Sequence, residues 1–275
     1  MSSPNVFPTG TTIYQPEKAY NGYTVLSISG IGAVLIDMNG NVVKTWEGFQ
    51  GFLNKLLPDG QILGSLGRRD FEYGYQDMAD LTQVDWEGNI VWSFNKKEFC
   101  HDGDKKYWLT RQHHDYQREG NPVGYYVPNM DCQTNGGKTL ILCHEDLYNK
   151  KISDKRLLDD CIIEVDWKGN ILWQWSVNEH FNELGFSEQA KAILFRNPNY
   201  HVNGGGQCDW MHINSMSILG SNKWYDAGDE RFHPDNIIWD ARESNITAII
   251  SKVTGEIVWR IGPDFTESKV LKRIG

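Results

Sequence analysis

Two short runs carry residues whose types and spacing suit work on one ligand. In Asp209-Trp210-Met211-His212-Ile213-Asn214-Ser215 a histidine and a carboxamide stand two apart. Side chains two apart on an extended chain point the same way, so His212 and Asn214 are expected to face a ligand together. Gly204, Gly205 and Gly206 come just before and allow a sharp turn into the site. Arg242, after the apolar run Ile237-Ile238-Trp239, is placed to converge on the same space. The second run is Arg111-Gln112-His113-His114-Asp115-Tyr116-Gln117-Arg118. Neighbours on a strand face opposite sides, so one of His113 and His114 faces the ligand and the other is structural, with Asp115 available to orient its neighbour. A histidine is neutral near physiological pH and can exchange a proton or attack, while an arginine offers a fixed fork to an anion. A metal needs three or four convergent ligands; one of this pair with His212 makes two, so no metal site is expected.

A structural role competes for His212. Histidines in tryptophan-rich β-proteins bond neighbouring carbonyls or indoles, and Asp209-Trp210 lies beside it. His101, His144, His180, His201 and His233 have no partner in matching register and are assigned to surface or core.

These groups need a scaffold, and the chain repeats one. Val34-Leu35-Ile36-Asp37, the turn Asn39-Gly40-Asn41 and the return Val42 to Trp46 read as a hairpin. The pattern returns over Thr82 to Trp92 and Ile163 to Trp173, and more loosely over Ala248 to Trp259. Second β-like segments precede the later three, at Leu57 to Leu63, Thr139 to Cys143, and Ile213 to Leu219 with Asn236 to Trp239. Two such pairs make a four-stranded antiparallel sheet, the unit of a β-propeller blade. The expected fold is therefore all-β, one propeller domain over 1–275, with blades near 52–94, 107–175 and 207–262 and a hairpin at 33–46. Three blades cannot close without exposing apolar faces, which predicts a C-terminally incomplete domain or assembly with further copies. The repeated Asp-Trp-x-Gly-Asn turns recur with the fold and read as turn and packing residues. Two segments interrupt the repeats: Ile152 to Asp160, read as a helical turn, and Ser187 to Phe195, read as a helix capped by Ser187.

Composition narrows the function. A formal charge of −9 argues against a nucleic-acid partner, so an anionic substrate needs a local positive pocket. The start Met1-Ser2-Ser3-Pro4-Asn5 is neither basic nor apolar, and no run is long enough to span a bilayer, which predicts a cytoplasmic protein with no membrane partner. Five cysteines without regular spacing are expected to be reduced thiols.

Pro8-Thr9-Gly10-Thr11-Thr12-Ile13-Tyr14, the run from Arg111 through Asn121-Pro122-Val123-Gly124-Tyr125-Tyr126, and Asp209 to Ser215 together resemble the bacterial arylsulfotransferases that do not use the nucleotide sulfate donor. The resemblance implies a six-bladed propeller and no cofactor. It also implies ping-pong transfer of a sulfuryl group from a phenolic sulfate ester to a phenol acceptor through a sulfohistidine. On that pattern His212, Arg242 and one of the histidine pair are catalytic; His114 is preferred because it directly precedes the aspartate. His113 and Asn214 would contact substrate. Arg242 would grip sulfate oxygens, a protonated His212 would serve the phenolic oxygen, and aromatic side chains at the channel rim would stack on the aryl group. The histidine that becomes sulfated is expected in a blade beyond residue 275. The competing reading is a propeller that serves as a scaffold or ligand-binding module, with His212 and Arg242 bonded away from the channel.

Overall fold

The computed structural model describes residues 11–121, 131–198 and 208–263. Gly204 to Gly206, His201 and the stretch 122–126 fall outside them, as do Pro8, Thr9 and Gly10. The chain is built from antiparallel sheets whose strands follow chain order. Strands β1 (Thr24–Ile28), β2 (Gly32–Ile36) and β3 (Val42–Glu47) form a three-stranded sheet. Next come four-stranded sheets of β4 (Gln50–Leu57), β5 (Gln61–Ser65), β6 (Leu81–Val84) and β7 (Ile90–Phe94), and, after a two-stranded hairpin of β8 (Glu98–Asp102) and β9 (Lys105–Leu109), of β10 (Gln112–Arg118), β11 (Thr139–Leu147), β12 (Leu157–Val165) and β13 (Ile171–Ser176). The last is β14 (Ile213–Ile218), β15 (Ile237–Ala241), β16 (Ile246–Ile250) and β17 (Ile257–Ile261). No sheet among the described residues closes on itself.

The repeated hairpins form for a local reason. In each of the first three turns the aspartate, Asp37, Asp85 or Asp166, accepts the backbone N–H and the side-chain amide of the asparagine four residues on, at 2.7 to 2.9 Å. These bonds hold all three carboxyls below their ordinary range. Tryptophans then tie sheet to sheet. The indole N–H of Trp46 donates to Asp85 O, that of Trp92 to Trp167 O and that of Trp175 to Gly255 O, at 2.9 to 3.0 Å. Each acceptor belongs to the repeated turn of the following four-stranded sheet.

Three apolar cores fill the spaces between successive sheets. Strand β11 serves two of them: Leu140 and Leu142 face β14 to β16, while Ile141 and Cys143 face the sheet of β4 to β7. Alternate side chains point to opposite faces, so a strand buried on both sides must be apolar throughout. The first strands gather together, β10 packing beside β14 and β4, and β1 beside β4. Asp115 ties three of them, accepting Lys55 Nζ from β4 at 2.6 Å and Met216 N from β14 at 3.0 Å.

Two expectations need correction. Leu157 to Asp160 is not a helical turn but the start of β12, every residue of which is buried. Its polar look came from Asp159 and Asp160, whose carboxylates accept Asn178 and Trp210 donors and the Ile213 N–H. The segment Tyr107-Trp108-Leu109 belongs to the β8–β9 hairpin, so the sheet expected to begin at 107 begins at Gln112. The helix after Ser187 forms as Glu188–Arg196, with the Ser187 hydroxyl accepting Ala190 N at 3.2 Å.

Candidate active site

The site lies where β10 and the approach to β14 meet. Here strand alternation fails in both runs, and the reason is in the backbone. His114 has φ +51° and His212 φ +54°, a left-handed conformation uncommon for residues with a side chain. In β10, four steps from Gln112 to Tyr116 are matched by two on β11, a bulge that holds His113, His114 and Asp115. The bulge brings the two rings together, their Nδ1 atoms meeting at 3.1 Å, with His113 fully buried and His114 half-buried. A second bulge, between Ile213 and Ser215, leaves Asn214 outside the ladder and half-buried. A period of two thus fixes neither the direction of Asn214 nor its relation to His212.

The imidazoles of His114 and His212 lie 4.8 Å apart, edge to face at 75°. His212 is fully buried, and its Nδ1 shares a short hydrogen bond with Asp209, three residues earlier. Tyr75 lies over the same ring, 6.2 Å between centroids. Arg242 reaches the site through its main chain, its N–H donating to His212 O at 3.0 Å. Its guanidinium is 47% exposed and held by Glu243 Oε1, at 2.8 Å from Nε and 2.6 Å from Nη2. His113 is buried behind His114, with its Nε2 2.9 Å from Asp160 Oδ1. Asp115 does not orient a histidine; both its oxygens are committed to Lys55, Tyr116 N and Met216 N.

Reading by motif did not single out His144, Asp77 or Asp160 for the site. The His144 ring stacks on His113, with centroids 3.6 Å apart and planes within 9°, and its Nδ1 bonds Asp77 Oδ1 at 2.7 Å. Asp77 also takes Arg111 Nε at 2.8 Å and Arg69 Nη1 at 3.1 Å. The available signal was His144 at the end of the apolar run Leu140 to Cys143, where β11 places it opposite Asp160 in register.

Electrostatics follow from this crowding. Burial, then the neighbouring His212 and His144, pushes His114 down to about 4, so its ring is neutral near pH 7. Burial and the other imidazoles push His113 well below the usual histidine range. Burial, with Asp209 and Asp159 close by, pushes the Asp160 carboxyl well above the carboxylate range.

His113, His144 and Asp160 place ligand-type atoms within 4.8 Å of one another. They do not fit an ion as they stand. Metal–imidazole bonds of about 2.0–2.1 Å lie in the ring plane, and two rings stacked face to face at 3.6 Å share no such plane.

A sequence model described as Arylsulfotransferase (ASST) matches residues 75–273, which takes in both histidine runs and Arg242. No curated protein sequence matches the chain.

Proposed function

The chain belongs to the arylsulfotransferase family, and from that premise we propose that it moves a sulfuryl group from a phenolic sulfate ester to a phenol acceptor, ping-pong, through a sulfohistidine. The observation that carries the reading is the pair His114 and His212, brought 4.8 Å apart on two strained residues, with Arg242 bonded to the His212 carbonyl. Non-glycine residues held at positive φ cluster at functional sites because the surrounding structure must stabilise them.

Sulfuryl transfer resembles phosphoryl transfer, with a loose transition state that spreads charge over the peripheral oxygens and rewards positioned cations and donors. Arg242 supplies the fork for those oxygens once it exchanges Glu243 for substrate. His212, fixed through Nδ1 by Asp209, presents Nε2 as the atom that gives or takes the phenolic proton. His114, neutral near pH 7, is the second proton-transfer group. The histidine that carries the sulfuryl group belongs to a repeat other than those described. Four sheets in chain order, with their first strands gathered and their cores between successive sheets, support a propeller whose site sits at the gathered ends.

His212→Ala tests this reading. The expected result is loss of nitrophenol release from p-nitrophenyl sulfate in the presence of a phenol, with circular dichroism and melting unchanged. Nitrophenol release independent of added phenol in the parent protein would point to a sulfatase. The scaffold reading draws on the complete burial of His212 against Asp209, and it expects His212→Ala to unfold the protein.

A further inference from the structure

Resting on the sulfotransferase reading, we propose that Asp115 and Gln117 are positioning residues: they join β10 to β14, side chain to backbone, and so set the separation of His114 and His212. The two strands belong to different sheets, and β14 is the edge strand of its own. Along such a strand the N–H groups point alternately toward the neighbouring strand and away from it. The N–H of Leu219, just past β14, donates to Asn236 O on the β15 side, so those of Met216 and Ile218 point outward. Left unpaired, they would carry the cost of any unsatisfied main-chain donor. β10 supplies both acceptors. Asp115 Oδ2 takes Met216 N at 3.0 Å, and Gln117 Oε1 takes Ile218 N at 2.8 Å. The partners are two apart on each strand, so one strand period serves both ties.

Each tie is held from behind. Asp115 Oδ1 accepts Lys55 Nζ at 2.6 Å and Tyr116 N at 2.8 Å. The same ammonium donates to Tyr116 O, a main-chain carbonyl of β10. Lys55 is buried, and burial pulls its ammonium below the ordinary lysine range against the attraction of Asp115. Gln117 is buried as well, and its Nε2 donates to Asn121 O, which leaves Oε1 to face β14.

Their place in the chain makes these ties act on the site. The β10 bulge lies between Gln112 and Tyr116 and holds His114; the β14 bulge lies between Ile213 and Ser215, beside His212. A bulge takes residues out of the ladder, so pairing within each sheet does not fix where the two histidines stand. Asp115 directly follows His114, and Met216 is the first residue past the second bulge. Their bond therefore spans from one bulge to the other. A single tie would leave a hinge, and the Gln117 bond to Ile218 stops rotation about it. The result is two imidazoles held 4.8 Å apart at 75°. A reacting oxygen served by both rings needs that spacing, since misplacement by about 1 Å can cost about 100-fold in rate. The aspartate that follows the histidine pair thus works on the distance between strands.

Two variants of the whole chain test this. Gln117→Met keeps most of the volume and removes one acceptor. The double variant Lys55→Met with Asp115→Leu removes the other without leaving a buried charge unpaired. They alter different side chains, so a fold defect in one leaves the other to decide. The first readout, NMR of the imidazole C–H protons, needs no turnover. Rings that stand edge to face feel each other's ring current, so the His114 and His212 resonances should shift in both variants. The second is transfer from p-nitrophenyl sulfate to a phenol, where each variant should lower kcat by about tenfold or more with KM changed by less than about twofold. Resonances unmoved in the folded variants, or shifted resonances with kcat unchanged, overturn the proposal. Shifted resonances in variants of a parent protein that shows no sulfotransferase turnover would support the joint between the strands and overturn its catalytic service, together with the reading of function.

Discussion

Asp77 holds His144, Arg111 and Arg69 at once, so one buried carboxylate orients the inner wall of the histidine cluster. Burial alone would raise its affinity for a proton, yet the charge of Arg111 and the bond to His144 outweigh this and hold it well below the usual carboxylate range. A group depressed in the folded state stabilises above its unfolded pKa, 3.8, and the gain is lost as pH falls through the folded value. His113 and His114 act earlier. They resist charging in the fold but accept protons at 6.5 when unfolded, so stability also falls as pH drops from 6.5 toward the His114 value of about 4. Urea unfolding followed from neutral pH to below pH 4 should therefore show two successive losses. Asp77→Asn should remove the lower one and cost about 3 kcal/mol at neutral pH, because Arg111 and Arg69 each lose their most buried anion and keep only Glu98 and Asp146, and Asp102, respectively. Of these residues the sequence displayed His113, His114, His212 and Arg242, which stand in recognisable runs. It hid Asp77, His144 and Asp160, because each meets its partner across tens of residues and nothing local marks the meeting.

Hairpins are the best-read elements because their cause is local. An aspartate accepts from an asparagine four residues on, and a glycine between them takes a left-handed conformation, φ +82°, +94° and +84° at Gly40, Gly88 and Gly169. The bulges in β10 and β14 were not legible. A histidine at positive φ is a concession forced by packing on both sides, and strand periodicity carries no trace of it. The start of β12 was missed for a related reason, since two aspartates look like surface until Trp210, Asn178 and His113 are known to meet them. At this scale the tryptophan ties make a prediction. Trp92→Phe keeps most of the apolar volume but removes the N–H donated to Trp167 O and weakens the stacking on Trp167 at 5.9 Å. The expected loss is about 2 kcal/mol, read as a lower urea midpoint at unchanged slope.

The whole molecule carries a formal charge of −9, whereas the donor proposed for it is an anion. Arg242 stands half-exposed at the site, but Glu243 balances it. An approaching aryl sulfate therefore meets a repulsive field until close range. Salt screens such a field, with a Debye length of about 10 Å at 0.1 M. Raising ionic strength about tenfold, from low salt to near-physiological, should increase kcat/KM for p-nitrophenyl sulfate about twofold. A decrease would show that local cations dominate the encounter. The charge was legible from composition, but its effect on substrate entry depends on which side chains face the site.

Each tryptophan tie ends on a backbone oxygen, and that has an evolutionary consequence. A main-chain acceptor is present whatever side chain the position carries, so the turns that receive the ties are free to drift. The turn of β16 and β17 shows it: Ser251-Lys252-Val253-Thr254-Gly255-Glu256 has lost the aspartate–asparagine pair, yet Gly255 O still receives Trp175. Duplicated units can thus grow apart in sequence while the joint between them survives, which lets one unit acquire histidines without loosening its neighbour.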